Sequence, residues 1–201
     1  MNFNMVHDTQ TVYRKILNCL ARPGTTENIT TESTRLNLEL PLSKNLMAMA
    51  FTLLDSEVSF AAITTAQMAV ERRIQQLTYA KKTTVAQADY IFITQETSAA
   101  TIHQVITDAK NGTLLNPHAA ATLIVEVPEL FERPNAESLL IKGPGIKGEK
   151  EFTVAGCNDW LQARETKNAE FPLGIDMFFV DTAGNILALP RTTRIFDQEE
   201  R

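Results

Sequence analysis

The residues with the most chemical potential emerge together near the C-terminal end of the chain. In "ALPRTTR" two guanidinium groups, Arg191 and Arg194, and two hydroxyls, Thr192 and Thr193, follow Pro190, which cannot donate to a sheet and so ends the strand before it. Arginine offers paired donors matched to phosphate or phosphonate oxygens, and threonine hydroxyls suit the same anion. The segment closes "FPLGIDMFFVDTAGNILALPRTTR", residues 171–194, which reads as two apolar runs about a turn. A two-residue turn at Ala183-Gly184 sets Asp176 directly opposite Arg191, and opposite charges across strands attract. Left exposed, such a pair contributes only ~0–1 kcal/mol. Two readings follow. Either the pair only closes the hairpin and Arg194 is solvated, or Asp176 orients Arg191 while one edge of its fork stays free for an anion.

A second candidate is "IKGPGIKGEK", where Gly143, Gly145 and Gly148 free the backbone for close approach to a phosphate and three lysines add charge. A P-loop needs lysine after its last glycine, and Glu149 stands there instead. The flanks read as strand on both sides, so a tight strand-to-strand turn is the plainer reading, with Gly143 and Gly145 kept as candidate binding positions. His7, His103 and His118 share no motif and read as solvated or core histidines. No nucleophile elbow, His-Glu-x-x-His or justified carboxylate pair occurs, so no catalytic residue and no metal ligand is assigned. Cys19 and Cys157 lie far apart and read as buried thiols.

The elements that must position these residues alternate for two thirds of the chain. "HDTQTVYRKILNCLARPG" is an amphipathic helix with Val12, Ile16, Leu17 and Leu20 inward, Asp8 or Thr9 as N-cap and Pro23-Gly24 as terminator. A helix capped by Ser43 is apolar nearly all round. Strand "VSFAAIT" follows, then a helix with Val70, Ile74 and Leu77 inward and Glu71, Arg72 and Arg73 outward. Strand "DYIFIT" leads to a helix closing at Asn111-Gly112, and "ATLIVEV" is the strongest strand. "SLLIK" and "EFTVAG" flank the glycine turn, a helix runs from about Asp159 to Lys167, and the hairpin ends the fold. The pattern predicts one α/β domain over residues 1–201, with helices packed on a mixed sheet.

Composition agrees with a packed core, 44% of the residues being hydrophobic. A formal charge of -5 argues against a nucleic-acid or anionic-membrane partner, so any anion site must be local. The N-terminus lacks a basic segment followed by an apolar run, and no apolar stretch approaches the ~20 residues of a membrane span, which predicts a cytoplasmic protein.

At "FPLGID" and "LPRTT", with "RPG" after the first helix, "GT" at 112–113, "ATLIVEV" and "GPGI" at 143–146, the chain resembles the H-subunit family of the bacterial carbon-phosphorus lyase system, in family order from about residue 7 to 196. The resemblance implies a role in phosphonate catabolism, acting with the G, I and L components to make ribose 1-methylphosphonate 5-triphosphate from ATP and methylphosphonate with release of adenine. It implies three layers around a mixed sheet, similar to the large domain of pyridoxal-phosphate transferases but without the cofactor. It also implies a homodimer in isolation and a larger assembly with the G, I and J subunits. No catalytic residue transfers with it. The alternatives are a non-catalytic adaptor that assembles that complex, and an independent pyridoxal-phosphate enzyme, against which the short chain weighs.

Overall fold

The computed structural model describes residues 2–38, 41–130, 139–154 and 160–196. Its helices are α1 (His7–Ala21), α2 (Thr30–Ser33), α3 (Lys44–Leu53), α4 (Gln67–Thr78), α5 (Ala99–Asp108) and α6 (Trp160–Lys167). The main-sheet strands are β1 (Thr26–Asn28), β2 (Ser59–Ile63), β3 (Lys81–Lys82), β4 (Tyr90–Ile93), β5 (Thr122–Val127), β8 (Asp176–Asp181) and β9 (Asn185–Leu189). A small sheet is made by β6 (Leu139–Lys142), β7 (Lys150–Phe152) and β10 (Arg194–Phe196).

The seven-stranded sheet has the order β1-β9-β8-β5-β4-β2-β3, and β9 alone runs against the other strands. This is the expected mixed sheet with helices packed on it. Its central strands are apolar on both faces, as strands covered on both sides must be. Along β8, Met177 and Phe179 face one core while Phe178 and Val180 face the other. The second face packs against α1, α3 and α4; the first is covered by α5, α6 and the small sheet, giving three layers. Among the described residues 22 apolar side chains are buried in one core and 24 in the other, which makes hydrophobic burial the main stabilising term.

Ser43 caps α3, its Oγ accepting from Leu46 N at 3.2 Å, as the sequence predicts. Other local expectations are corrected. Helix α1 begins at His7 without a cap from Asp8 or Thr9; Asn4 Oδ1 accepts from Val6 N and His7 N at 2.9 Å each, and Asp8 is buried against Arg35. Leu17 is exposed and Cys19 takes the inward position. Glu71 is buried, accepting from Gln67 Nε2 at 2.9 Å, where an outward side chain was expected. Helix α5 stops at Asp108, short of Asn111-Gly112, because Ala109 already turns to extended backbone. Helix α6 is described from Trp160; Asp159 and Cys157 lie outside the described residues. Among the described residues no helix is long and apolar enough to cross a membrane.

The hairpin register also differs from expectation. Met177 pairs with Leu189 and Val180 with Ile186, which places Asp176 opposite Pro190 instead of Arg191. The loop is Thr182-Ala183-Gly184, one residue longer than a two-residue turn, with Gly184 at φ 79 and Gly184 N donating to Asp181 O at 3.0 Å. Asp181 fixes this longer turn by accepting from Asn185 N at 2.8 Å and Asn185 Nδ2 at 2.8 Å.

Candidate functional site

Beyond Pro190 the chain leaves the main sheet and crosses to the small one. Thr193 N donates back to Pro190 O at 2.9 Å, closing a tight turn, and β10 then pairs antiparallel with β6, Arg194 opposite Lys142. At the end of β6 stands Gly143, where a side chain would lie 3.0 Å from Thr192 O and 3.2 Å from Thr193 Cα. The two stretches singled out in the sequence therefore meet, and Gly143 is glycine because the threonine turn passes against its backbone. Gly145, at φ 81, faces the other way. A Cβ there would overlap Ala21 O and come within 3.0 Å of Pro23, so it seats the turn against the end of α1.

Two lysines of that stretch are engaged within the chain. The stretch is the expected strand-to-strand turn: Lys142 pairs with Glu149 at 2.5 Å, and Lys150 donates to Thr25 Oγ1 at 3.1 Å.

Asp176 and Arg191 do pair, despite the shifted register. Asp176 Oδ1 accepts from Arg191 N at 2.7 Å and from Nε at 3.3 Å, and Oδ2 accepts from Nη2 at 2.5 Å. Arg191 Nη1 donates to Pro117 O at 2.7 Å. The two side chains retain only 16% and 22% of their exposure, so the pair is not the exposed one the sequence suggests. Three of the five guanidinium N–H groups are engaged within the chain, tying the start of β8, the end of β9 and the 117–119 turn together.

Beside this tie opens a cleft of about 480 Å³, lined among others by Arg164, Arg191, Thr192, Thr193, Arg194 and Glu165. Phe171 also lines it and is 77% exposed. Among the described residues three cations and one carboxylate line it, in a chain whose net charge is -5. The cleft sits at the amino end of β8, whereas ligands of open α/β sheets usually bind outside the carboxyl ends of the strands. Thr192 and Thr193 line it with Arg191 as the sequence reading groups them; Asp176 stands behind Arg191, Gly143 packs against the threonine turn, and Gly145 packs away from it on the end of α1.

Arg164 is the residue that sequence reasoning missed. It is 2% exposed and projects from α6, where Nη2 donates to Pro190 O at 2.7 Å and Thr193 O at 3.1 Å. Burial pulls its guanidinium down to about 10, still cationic at neutral pH, and nearby Asp176 opposes that shift. The signal was spacing: three and four residues after the buried Trp160 come Ala163 and Arg164, which puts an arginine on the helix's inward face.

Cys19 is buried as expected, its Sγ lying 3.6 Å from Ile186 O, and burial pushes the thiol up to about 12. His7, His103 and His118 are exposed. Among the described residues no cluster of three or more His, Cys, Asp or Glu could hold a metal ion.

Taken together, the fold and cleft define a three-layer α/β protein with a local cationic site suited to a small oxyanion. Residues 2–196 match the family described as "Bacterial phosphonate metabolism protein (PhnH)", and the chain belongs to that family. It is 39% identical over 85 residues to a putative C-P lyase subunit protein HtxG of Stutzerimonas stutzeri, spanning 42% of each chain. It is also 28% identical over 193 residues to the alpha-D-ribose 1-methylphosphonate 5-triphosphate synthase subunit PhnH of Rhizobium meliloti (strain 1021), covering 94% of this chain and 91% of that one.

Proposed function

We propose that this chain is a substrate-handling subunit of a carbon-phosphorus lyase system, acting with G, I and L components to form ribose 1-methylphosphonate 5-triphosphate from ATP and methylphosphonate with release of adenine. Family membership supports the pathway, and the observation that carries the role is the cleft at the sheet-to-sheet crossover, where Arg191, Arg194, Thr192 and Thr193 converge. Arginine forks and hydroxyls are the donors a phosphonate or polyphosphate needs. Asp176 and Gly143 are positioning residues in this reading, and Gly145 anchors the glycine turn on α1.

In this reading the subunit works without pyridoxal phosphate, its three layers being likened to the large domain of transferases that use that cofactor. An internal aldimine needs a lysine, and among the described residues the cations lining the cleft are arginines. We place the protein in the cytoplasm, as a homodimer when alone and with G, I and J subunits in the cell. Leu114 and Leu115, 67% and 91% exposed beside the turn that Arg191 ties down, offer an apolar surface for such contacts.

A second reading, a non-catalytic adaptor, is favoured by one observation: the Arg191 fork is already engaged by Asp176 and Pro117. Reconstitution separates the two. With purified partners, adenine release from ATP and methylphosphonate is measured with and without this chain, and with Thr192→Val. Substrate handling requires that the complex assembles with the variant and releases adenine more slowly; normal release favours the adaptor.

A further inference from the structure

Two residues that line this cleft each carry a buried polar atom with no hydrogen-bond partner among the described residues: Arg164 Nε and Thr193 Oγ1. Buried polar groups in native proteins are almost always bonded, and an orphan calls for an explanation. Both residues lie deep, at 2% exposure each. They are also adjacent, since Arg164 Nη2 bonds the backbone carbonyl of Thr193 at 3.1 Å. Among the described residues the guanidinium makes no ion pair with a carboxylate; its bonds go to two carbonyl oxygens. Of the carboxylates nearest to it, Asp176 is held by Arg191 and Glu165 is exposed at the cleft.

We propose that Arg164 Nε and the Thr193 hydroxyl are the floor of an oxyanion seat that takes a phosphonate or phosphate group, with Arg194 at its open side. An arginine N–H can only donate, and a hydroxyl can turn to donate beside it, so one anionic oxygen completes both. A neutral ligand would satisfy the hydrogen bonds but leave the buried cation without a counter-charge. The turn that holds the seat is rigid: Thr193 N is bonded to Pro190, both carbonyls are held by Arg164, and Gly143 closes against it from β6. The inference rests on the proposed function only for the identity of the anion.

The isolated full chain is titrated with methylphosphonate, inorganic phosphate and tripolyphosphate by calorimetry and thermal shift. Saturable binding is expected, with a rise in melting temperature because the anion binds the native state. Preference for methylphosphonate assigns the seat to that substrate, and preference for tripolyphosphate assigns it to the nucleotide tail. Thr193→Val removes a hydroxyl that bonds nothing in the free protein, so its melting temperature should stay level or rise, while affinity falls on the order of tenfold or more. Arg164→Lys, which lacks Nε, should lose affinity at least as strongly. No binding by the wild-type chain, or unchanged affinity in Thr193→Val, overturns the seat. Loss of stability in Thr193→Val overturns it as well, since that hydroxyl would then be bonded in the free protein. The pathway reading fails separately, if adenine release in the reconstituted system does not depend on this chain.

Discussion

Asp176 and Arg191 illustrate what a sequence conveys about a pair and what it hides. The partnership was legible from charge and position, but the register was not, because Asp181 stabilises a three-residue loop that no hydropathy pattern announces. Nor was the depth of the pair legible: the third bond, to Pro117 O, comes from a segment 74 positions away. That geometry changes the expected cost of mutation. Arg191→Lys keeps the charge yet cannot hold two carboxylate oxygens and a carbonyl at once, so it should lose about 1–3 kcal/mol in denaturant unfolding. A loss below about 0.5 kcal/mol would mean that the tie contributes no more than an ordinary surface pair. Cys19 offers a second test at this scale. Its thiol is raised from 9.0 to about 12 by burial, with Glu27 adding to the shift. The folded value lies above the ordinary one, so the fold favours the neutral thiol; that stability is complete below about pH 9 and is lost as pH rises toward 12. Peptide mapping after iodoacetamide treatment at pH 8 should find Cys19 unmodified in the native protein and modified in urea, and rapid native labelling would contradict its burial.

Elements with strong patterns were readable, and those made only by pairing were not. Strand β5 is β-branched and ended by Pro128, and α3 carries its own cap, so both follow from local sequence. Strands β1, β3 and β10 span three, two and three residues, too short for any period, and exist because a neighbour supplies hydrogen bonds. Missing β10 mattered most, since it turns the end of a hairpin into a crossover between two sheets and brings the glycine turn to the threonines. The glycine turn itself separates two roles by geometry. Gly145 is held at φ 81 against the carbonyl of Ala21, where an alanine would meet both backbone strain and overlap. Gly145→Ala should therefore cost about 1–2 kcal/mol from the left-handed conformation alone, or about 2–8 °C in melting temperature. An unchanged melting temperature would show that the end of α1 yields freely, and the contact between "RPG" and "GPG" would lose its structural meaning.

At the scale of the whole molecule the contrast is between an acidic chain and a cationic cleft. A net charge of -5 repels free anions at long range, while three arginines on one cleft attract them at short range. Two of those arginines are also structural: Arg164 braces the crossover and Arg191 ties three segments, so mutating either mixes folding with function. Arg194 is different, because it lines the same cleft but is exposed on the small-sheet strand that follows the crossover. Arg194→Gln should change stability by no more than about 0.5 kcal/mol. If the cleft handles substrate, that variant should assemble normally with the partner subunits yet raise the KM for the anionic substrate in phosphonate-dependent adenine release. The loss should shrink as salt rises, since an exposed charge acts through a screened field. An adaptor would behave otherwise: Arg194→Gln would leave adenine release unchanged in every complex that forms, or weaken co-purification and release in parallel. Measuring KM and subunit stoichiometry on the same preparations distinguishes the outcomes, and a normal KM in a fully assembled complex would remove the cleft from the chemistry.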